Sequence, residues 1–139
     1  MKAFLIAAAL TVATSTPGYA MDSLAQFEWK NRVLILFGEQ GEPKLAQQVE
    51  RLRQQPGELA ERDMVVLQVS GNEVGPIHGS ANTIDASRLR READIRDSGF
   101  HLVLVGKDGG IKLRRSDVVG EVEIFDLIDR MPMRRSGRG

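Results

Sequence analysis

Apolar residues along the chain gather into short blocks with two different periods. Val33 to Phe37 (VLILF) is unbroken and lies between polar Lys30-Asn31-Arg32 and Gly38, the pattern of a strand buried on both faces. Glu42-Pro43 follows, with proline suited to a first helical turn. Leu45, Val49 and Leu52 then recur at i, i+4 and i+7 with Ala46 beside them, while Lys44, Gln48, Glu50 and Arg51 fall mostly off that face. Pro56-Gly57 is expected to end this helix. Met64 to Val69 (MVVLQV) has the composition of a second buried strand. A strand, helix and strand within about 35 residues predict a right-handed βαβ unit with parallel strands.

Residues 71–85 (GNEVGPIHGSANTID) hold three glycines, a proline and two asparagines. They read as a long loop with room for a short hairpin. Asp85 or Ser87 can cap a surface helix on which Leu89, Ala93 and Arg96 share a face. Phe100 to Val105 (FHLVLV) predicts a third strand, and the Asp108-Gly109 pair after it is a strong hairpin signal. Ile111 and Leu113 alternate with Lys112 and Arg114, as on an edge strand with one wet face. From Glu121 to Met131, Val122, Phe125, Ile128 and Met131 lie near helical spacing with Ile124 flanking. Acids open that helix, Arg130 closes it and Pro132 stops it.

The expected order is β-α-β-α-β-β-α, an α/β domain with a four-stranded mixed sheet and helices on both faces. A parallel βαβ half followed by an antiparallel ββα half is the minimal thioredoxin-like arrangement. Its first and third strands belong at the centre and its charged fourth at an edge. A flavodoxin-like sheet is the rival, but the tight Asp108-Gly109 hairpin argues against a further parallel crossover.

The N-terminus changes where this domain is expected to work. Lys2 precedes an uncharged apolar run from Ala3 to Val12. Pro17-Gly18 then comes before Tyr19-Ala20, with small residues at the two positions a signal peptidase reads, Gly18 and Ala20. The run, about 10 to 14 residues, is too short for a hydrocarbon core that needs about 20. Met21, not cysteine, stands after the site, so a lipid anchor there is excluded. Residues 1–20 are thus expected to be a signal peptide cut between Ala20 and Met21. Residues 21–135 would form the domain and 136–139 the end of a basic tail. Export is expected, to the periplasm rather than the medium, with no transmembrane segment in the mature chain.

Charge and composition narrow the chemistry. The chain has 19 Lys+Arg against 19 Asp+Glu, so nothing favours bulk nucleic-acid binding. It has no cysteine, which excludes thiol redox, thiolate nucleophiles and Cys-based zinc sites. In a thioredoxin-like domain the active loop enters the first helix; here it is Gly38 to Pro43, where Glu39 and Glu42 would repel an anion and read instead as an acid-capped helix start. The redox members carry a cis-proline before the third strand, where Gly99 and Phe100 stand here.

His78 in the long loop could serve as a ligand or general base, whereas His101 in a strand reads as hydrogen-bonded or exposed. No metal-ligand spacing joins them, and neither a nucleophile elbow nor a phosphate-binding loop occurs. No metal, cofactor or catalytic set is expected. Trp29, the only tryptophan, is expected to pack with Phe27 as a cover for the core.

The densest cluster of special residues is Gly106 to Arg115 (GKDGGIKLRR). One reading is a hairpin whose edge-strand charges prevent aggregation. The other is a rigid basic edge presenting Lys112 and Arg114 to an acidic partner.

Four segments together resemble one family: F-x-W-K-N-R-V-L-I-L-F (27–37), E-R-D-M-V-V (61–66), L-V-G-K-D-G-G-I-K-L-R (104–114) and F-D-L-I-D-R-M-P-M-R (125–134). They look like the bacterial DUDES-type domain of unknown function, related to domains of Equarin and of sushi-repeat extracellular proteins. The resemblance covers nearly all of residues 22–135. It implies a thioredoxin-like fold and, through the extracellular relatives, a role in binding; it supplies no catalytic residue. Lys107, Asp108, Gly109, Gly110, Lys112, Arg114 and Arg134, with Met131 and Pro132, match its specific segments and are the candidate binding surface. The expected function is a non-enzymatic module of the cell envelope that binds a protein or polyanion through the hairpin edge and C-terminal arginines. The alternative is a small-ligand or metal-dependent enzyme using loop 71–85, with His78 and Asp85 as its groups.

Overall fold

The structure, a computed structural model, describes residues 21–131. The expected leader up to Ala20, as well as Pro132, Arg134 and the tail, lie outside the described residues. A 3-10 helix, Asp22–Phe27, precedes β1 (Arg32–Phe37), α1 (Pro43–Arg53), α2 (Pro56–Glu61), β2 (Met64–Ser70), β3 (Glu73–His78), α3 (Ala86–Glu92), β4 (His101–Val105), β5 (Ile111–Arg115) and α4 (Glu121–Asp129). The strands form one mixed sheet in the order β3-β2-β1-β4-β5. β1 and β2 are parallel and every other pairing is antiparallel. β1 takes the centre, and the charged β5 takes an edge as its alternation predicts.

The sheet has five strands, not four. The extra strand is β3, drawn from the segment expected to be a loop. It folds back on β2 so that Ser70 faces Glu73, leaving only Gly71-Asn72 in the turn, and Gly71 has φ +58°. Such a turn needs positive φ, which glycine supplies without strain. Gly75 and Pro76 are poor strand residues, yet β3 is an edge with a bulge opposite Val66/Leu67, where proline is tolerated.

The unbroken apolar runs split by parity between two layers, because successive side chains leave a strand on opposite faces. Leu34, Leu36, Val66, Leu102 and Leu104 join a core with α1, α2 and α4. Val33, Ile35, Val65, Leu67 and Val103 join another with the 3-10 helix and α3. Among the described residues no helix is long and apolar enough to cross a membrane.

Two helices differ from expectation. Pro56 does not simply end a helix: it occupies the first turn of α2, where its missing N–H costs nothing. On α4 the buried side chains are Ile124, Phe125 and Ile128, whereas Val122 is 66% exposed. A spacing of three falls short of a helical turn by about 60° per step, which carries Val122 to the side away from Met131.

Gln48, expected off the buried face of α1, is wholly buried. Its Nε2 donates to the Val119 carbonyl at 3.0 Å, and its Oε1 accepts from the Val119 N–H at 2.8 Å. One amide thereby satisfies both backbone groups of a residue 71 positions away and fixes the approach to α4. Gln48→Leu strands those two groups and is expected to cost about 2–4 kcal/mol, read as a lower midpoint in urea unfolding with an unchanged slope.

Candidate functional site

Parallel pairing puts the beginnings of β1 and β2 at the same end of the sheet, and antiparallel pairing brings the end of β4 to join them. Residues 29–32, 62–64 and 105–110 therefore meet there. This is where polar chain must enter a dry core, and the charged residues concerned are densely bonded.

Arg32 is buried, and its Nη1 donates to the Arg62 carbonyl at 2.9 Å. Arg62 is itself nearly buried and forms a fork with Asp129: Nε to Oδ1 at 3.0 Å and Nη2 to Oδ2 at 2.9 Å. Its Nη1 donates to the Glu58 carbonyl and carboxylate, and the Phe125 ring centre lies 4.5 Å from the guanidinium carbon. Burial pulls the Arg62 pKa down, but the hydrogen bonds to Asp129 and Glu58, with their charges, outweigh it and leave the pKa raised. Asp63 follows with φ +53°. Its carbonyl accepts from Arg32 N–H and Asn31 Nδ2, and its Oδ2 accepts from Lys107 Nζ at 2.9 Å.

Lys107, expected on the binding surface, is only 8% exposed, and its charge is held by Asp63. Its carbonyl accepts from Trp29 N–H at 2.8 Å. The loop after it closes through Gly106 N–H to the Gly110 carbonyl at 2.8 Å, and Gly109 supplies φ +86°. Asp108 organises this turn, accepting from Gly110 N–H at 2.9 Å and from Lys112 Nζ at 3.0 Å. Lys112 runs across Gly106 so closely that a Cβ at Gly106 would stand 2.6 Å from its Cε. Arg114 is exposed on β5, and Arg115 pairs with Glu123 at 2.8 Å.

Beside this hairpin opens a cleft of about 540 Å³. Trp29, Leu127 and Met131 give it apolar walls, while Lys107, Lys112 and Arg130 bring cations to it. The expectation that Trp29 covers the core is not met. Phe27 is in the core, but Trp29 is 59% exposed, because the turn leaving the 3-10 helix gives it φ +64° and directs it outward. Leu127, Arg130 and the role of Trp29 escaped the sequence reading; the signal was that two of the four resembling segments, 27–37 and 125–134, contain these residues.

The remaining candidates lie elsewhere. His78 ends β3 opposite Val66. Asp85 accepts from Ser87 N–H at 3.1 Å as the cap of α3. Among the described residues no group of three or more His, Cys, Asp or Glu is placed to hold a metal ion. His101 Nε2 lies 2.8 Å from Asp97 Oδ1; that bond first, then the one from Gly99 N–H, holds the Asp97 carboxyl below its usual range. Glu42 caps α1 by accepting from Lys44 N–H, the acid-capped start expected there.

Partial burial pushes the Asp108 carboxyl up, yet the Gly110 N–H and the Lys112 ammonium together hold it below the usual carboxylate range. With its folded pKa below the unfolded one, the carboxylate stabilises the hairpin fully above about pH 4 and progressively less as pH falls through the folded value. The Gly110 amide resonance is expected to titrate with a midpoint below that of a solvated aspartate and to lose this transition in Asp108→Asn.

No curated protein and no solved structure matches this chain. A family match does exist, and it runs from the 3-10 helix through all four of the segments 27–37, 61–66, 104–114 and 125–134 to the residues beyond Met131. Residues 23–137 match the family described as a domain of unknown function (DUF4174), and the chain belongs to that family.

Proposed function

We propose that the domain is a non-enzymatic binding module of the cell envelope that engages an envelope protein or polyanion through β5 and the adjoining hairpin. The observation that carries this reading is the cationic edge: β5 pairs only with β4 and presents exposed Lys112, Arg114 and Arg115, of which Lys112 is held by Asp108 and Arg115 by Glu123. The Asp108 turn and the Lys112 strap across Gly106 hold the hairpin in shape, so little order remains to be gained on contact. Absence of cysteine from the whole chain removes thiol redox as a rival.

The same reading includes a thioredoxin-like topology. It is supported by a parallel β1-α1-α2-β2 half joined to an antiparallel β4-β5-α4 half in the order β2-β1-β4-β5, with β3 added outside β2. The resemblance of the four segments to the DUDES-type domain points the same way. Export to the periplasm is read from residues 1–20. N-terminal sequencing of the protein recovered from its native envelope is expected to begin at Met21; a chain that keeps residues 1–20 overturns export by cleavage.

Partner binding is tested by in-cell cross-linking of the tagged protein. A discrete cross-linked partner is expected in the wild type and is expected to disappear in Lys112→Ala/Arg114→Ala. Equal cross-linking in both forms, or none in either, overturns the role of β5.

A further inference from the structure

Trp29 goes against two folding preferences at once. Its large apolar ring is left mostly in solvent, and its backbone sits in the left-handed region, where a non-glycine residue is strained. The strain is maintained by bonds on each side: Trp29 N–H to the Lys107 carbonyl, then Lys30 and Asn31 N–H to the Phe27 carbonyl. A fold that holds an indole outward in this way forms the wall of a cleft.

The cleft has the proportions of a small-molecule site. Its volume of about 540 Å³ lies within the range of about 300–1,000 Å³ usual for ligand pockets, and its surface is mostly apolar with a few polar groups. Its charges fix the ligand class further. Lys107 is balanced by Asp63, and Lys112 by Asp108. Arg130, exposed at the end of α4, has no ion-pair partner among the described residues. The site thus carries an apolar wall and one positive charge in excess.

We propose that this cleft binds a small amphiphilic monoanion, an apolar chain or ring bearing one carboxylate. The apolar body lies against Trp29, Leu127 and Met131, and the carboxylate meets the Arg130 guanidinium, whose planar fork matches it. Lys112 borders both this cleft and the β5 contact, so the two proposals are told apart by residues that only one of them uses: Arg130 and Trp29 for the cleft, read by ligand titration, and Arg114 for β5, read by cross-linking.

Trp29 is the only tryptophan, so the tryptophan emission of the purified protein reports on this cleft alone. Decanoate is titrated below its micelle-forming range, beside decanol and decyltrimethylammonium. A saturable blue shift with decanoate is expected, with binding at least about tenfold weaker for the two controls and for Arg130→Gln. Arg130→Lys is expected to recover part of the affinity. Trp29→Gly relieves the left-handed strain and keeps the fold, yet is expected to lose decanoate binding by calorimetry. The proposal is overturned if all three amphiphiles bind alike or if Arg130→Gln binds as the wild type does. It is also overturned if the emission is already blue without ligand and does not respond, which would mean that the chain's own continuation past Met131 fills the cleft.

Discussion

Burying β1 on both faces imposes one demand on everything around it: the chain must turn from polar to wholly apolar at Arg32 within a single residue. Arg32 is itself buried, so water cannot satisfy it, and a buried cation is costly unless it is hydrogen-bonded. The Arg62 carbonyl meets part of that demand by accepting from Arg32 Nη1 at 2.9 Å. Because Arg62 must then stand at this place, its own guanidinium becomes buried and takes Asp129 as a forked partner. That fork fixes the C-terminal turn of α4, and with it Leu127, Arg130 and Met131. Asp63, next in sequence, accepts the Lys107 ammonium and so sets the base of the hairpin. The network that closes the end of the core is therefore also the framework of the cleft.

Local patterning disclosed those parts of the fold whose causes are local. β1, β2 and β4 announce themselves as continuous apolar runs because each is covered on both faces. The Asp108 turn is legible because an aspartate that accepts from the N–H two residues on needs no help from elsewhere. β3 was hidden because Gly75 and Pro76 have little strand preference; pairing with an edge that β2 leaves open overrides it. On α4 the apolar spacing admitted two faces, and packing against the sheet chose the one that leaves Val122 out.

The candidate site was legible in its members rather than in its arrangement. Lys107, Asp108 and Lys112 stand in one conspicuous segment, but nothing local says that Lys107 turns inward. That depends on Asp63, 44 residues earlier, as the place of Arg62 depends on Asp129, 67 residues later. Polarity misplaced Gln48 for the same reason, since its two partners belong to Val119. Trp29 was misjudged by size alone. Its position follows from a backbone turn, and a turn of that hand at a tryptophan is not foreshadowed by composition.

The two borders of the sheet are guarded in unlike ways. Each pairs through a bulge that breaks its register, but β3 adds a proline, which has no N–H to offer, and β5 a row of cations. Both devices discourage a second sheet from extending this one. A macromolecule arriving at β5 would consequently be recognised by the charges it displays, with its backbone contributing little. Specificity at that border would then be graded by ionic strength and would tolerate wide variation in the visitor's secondary structure.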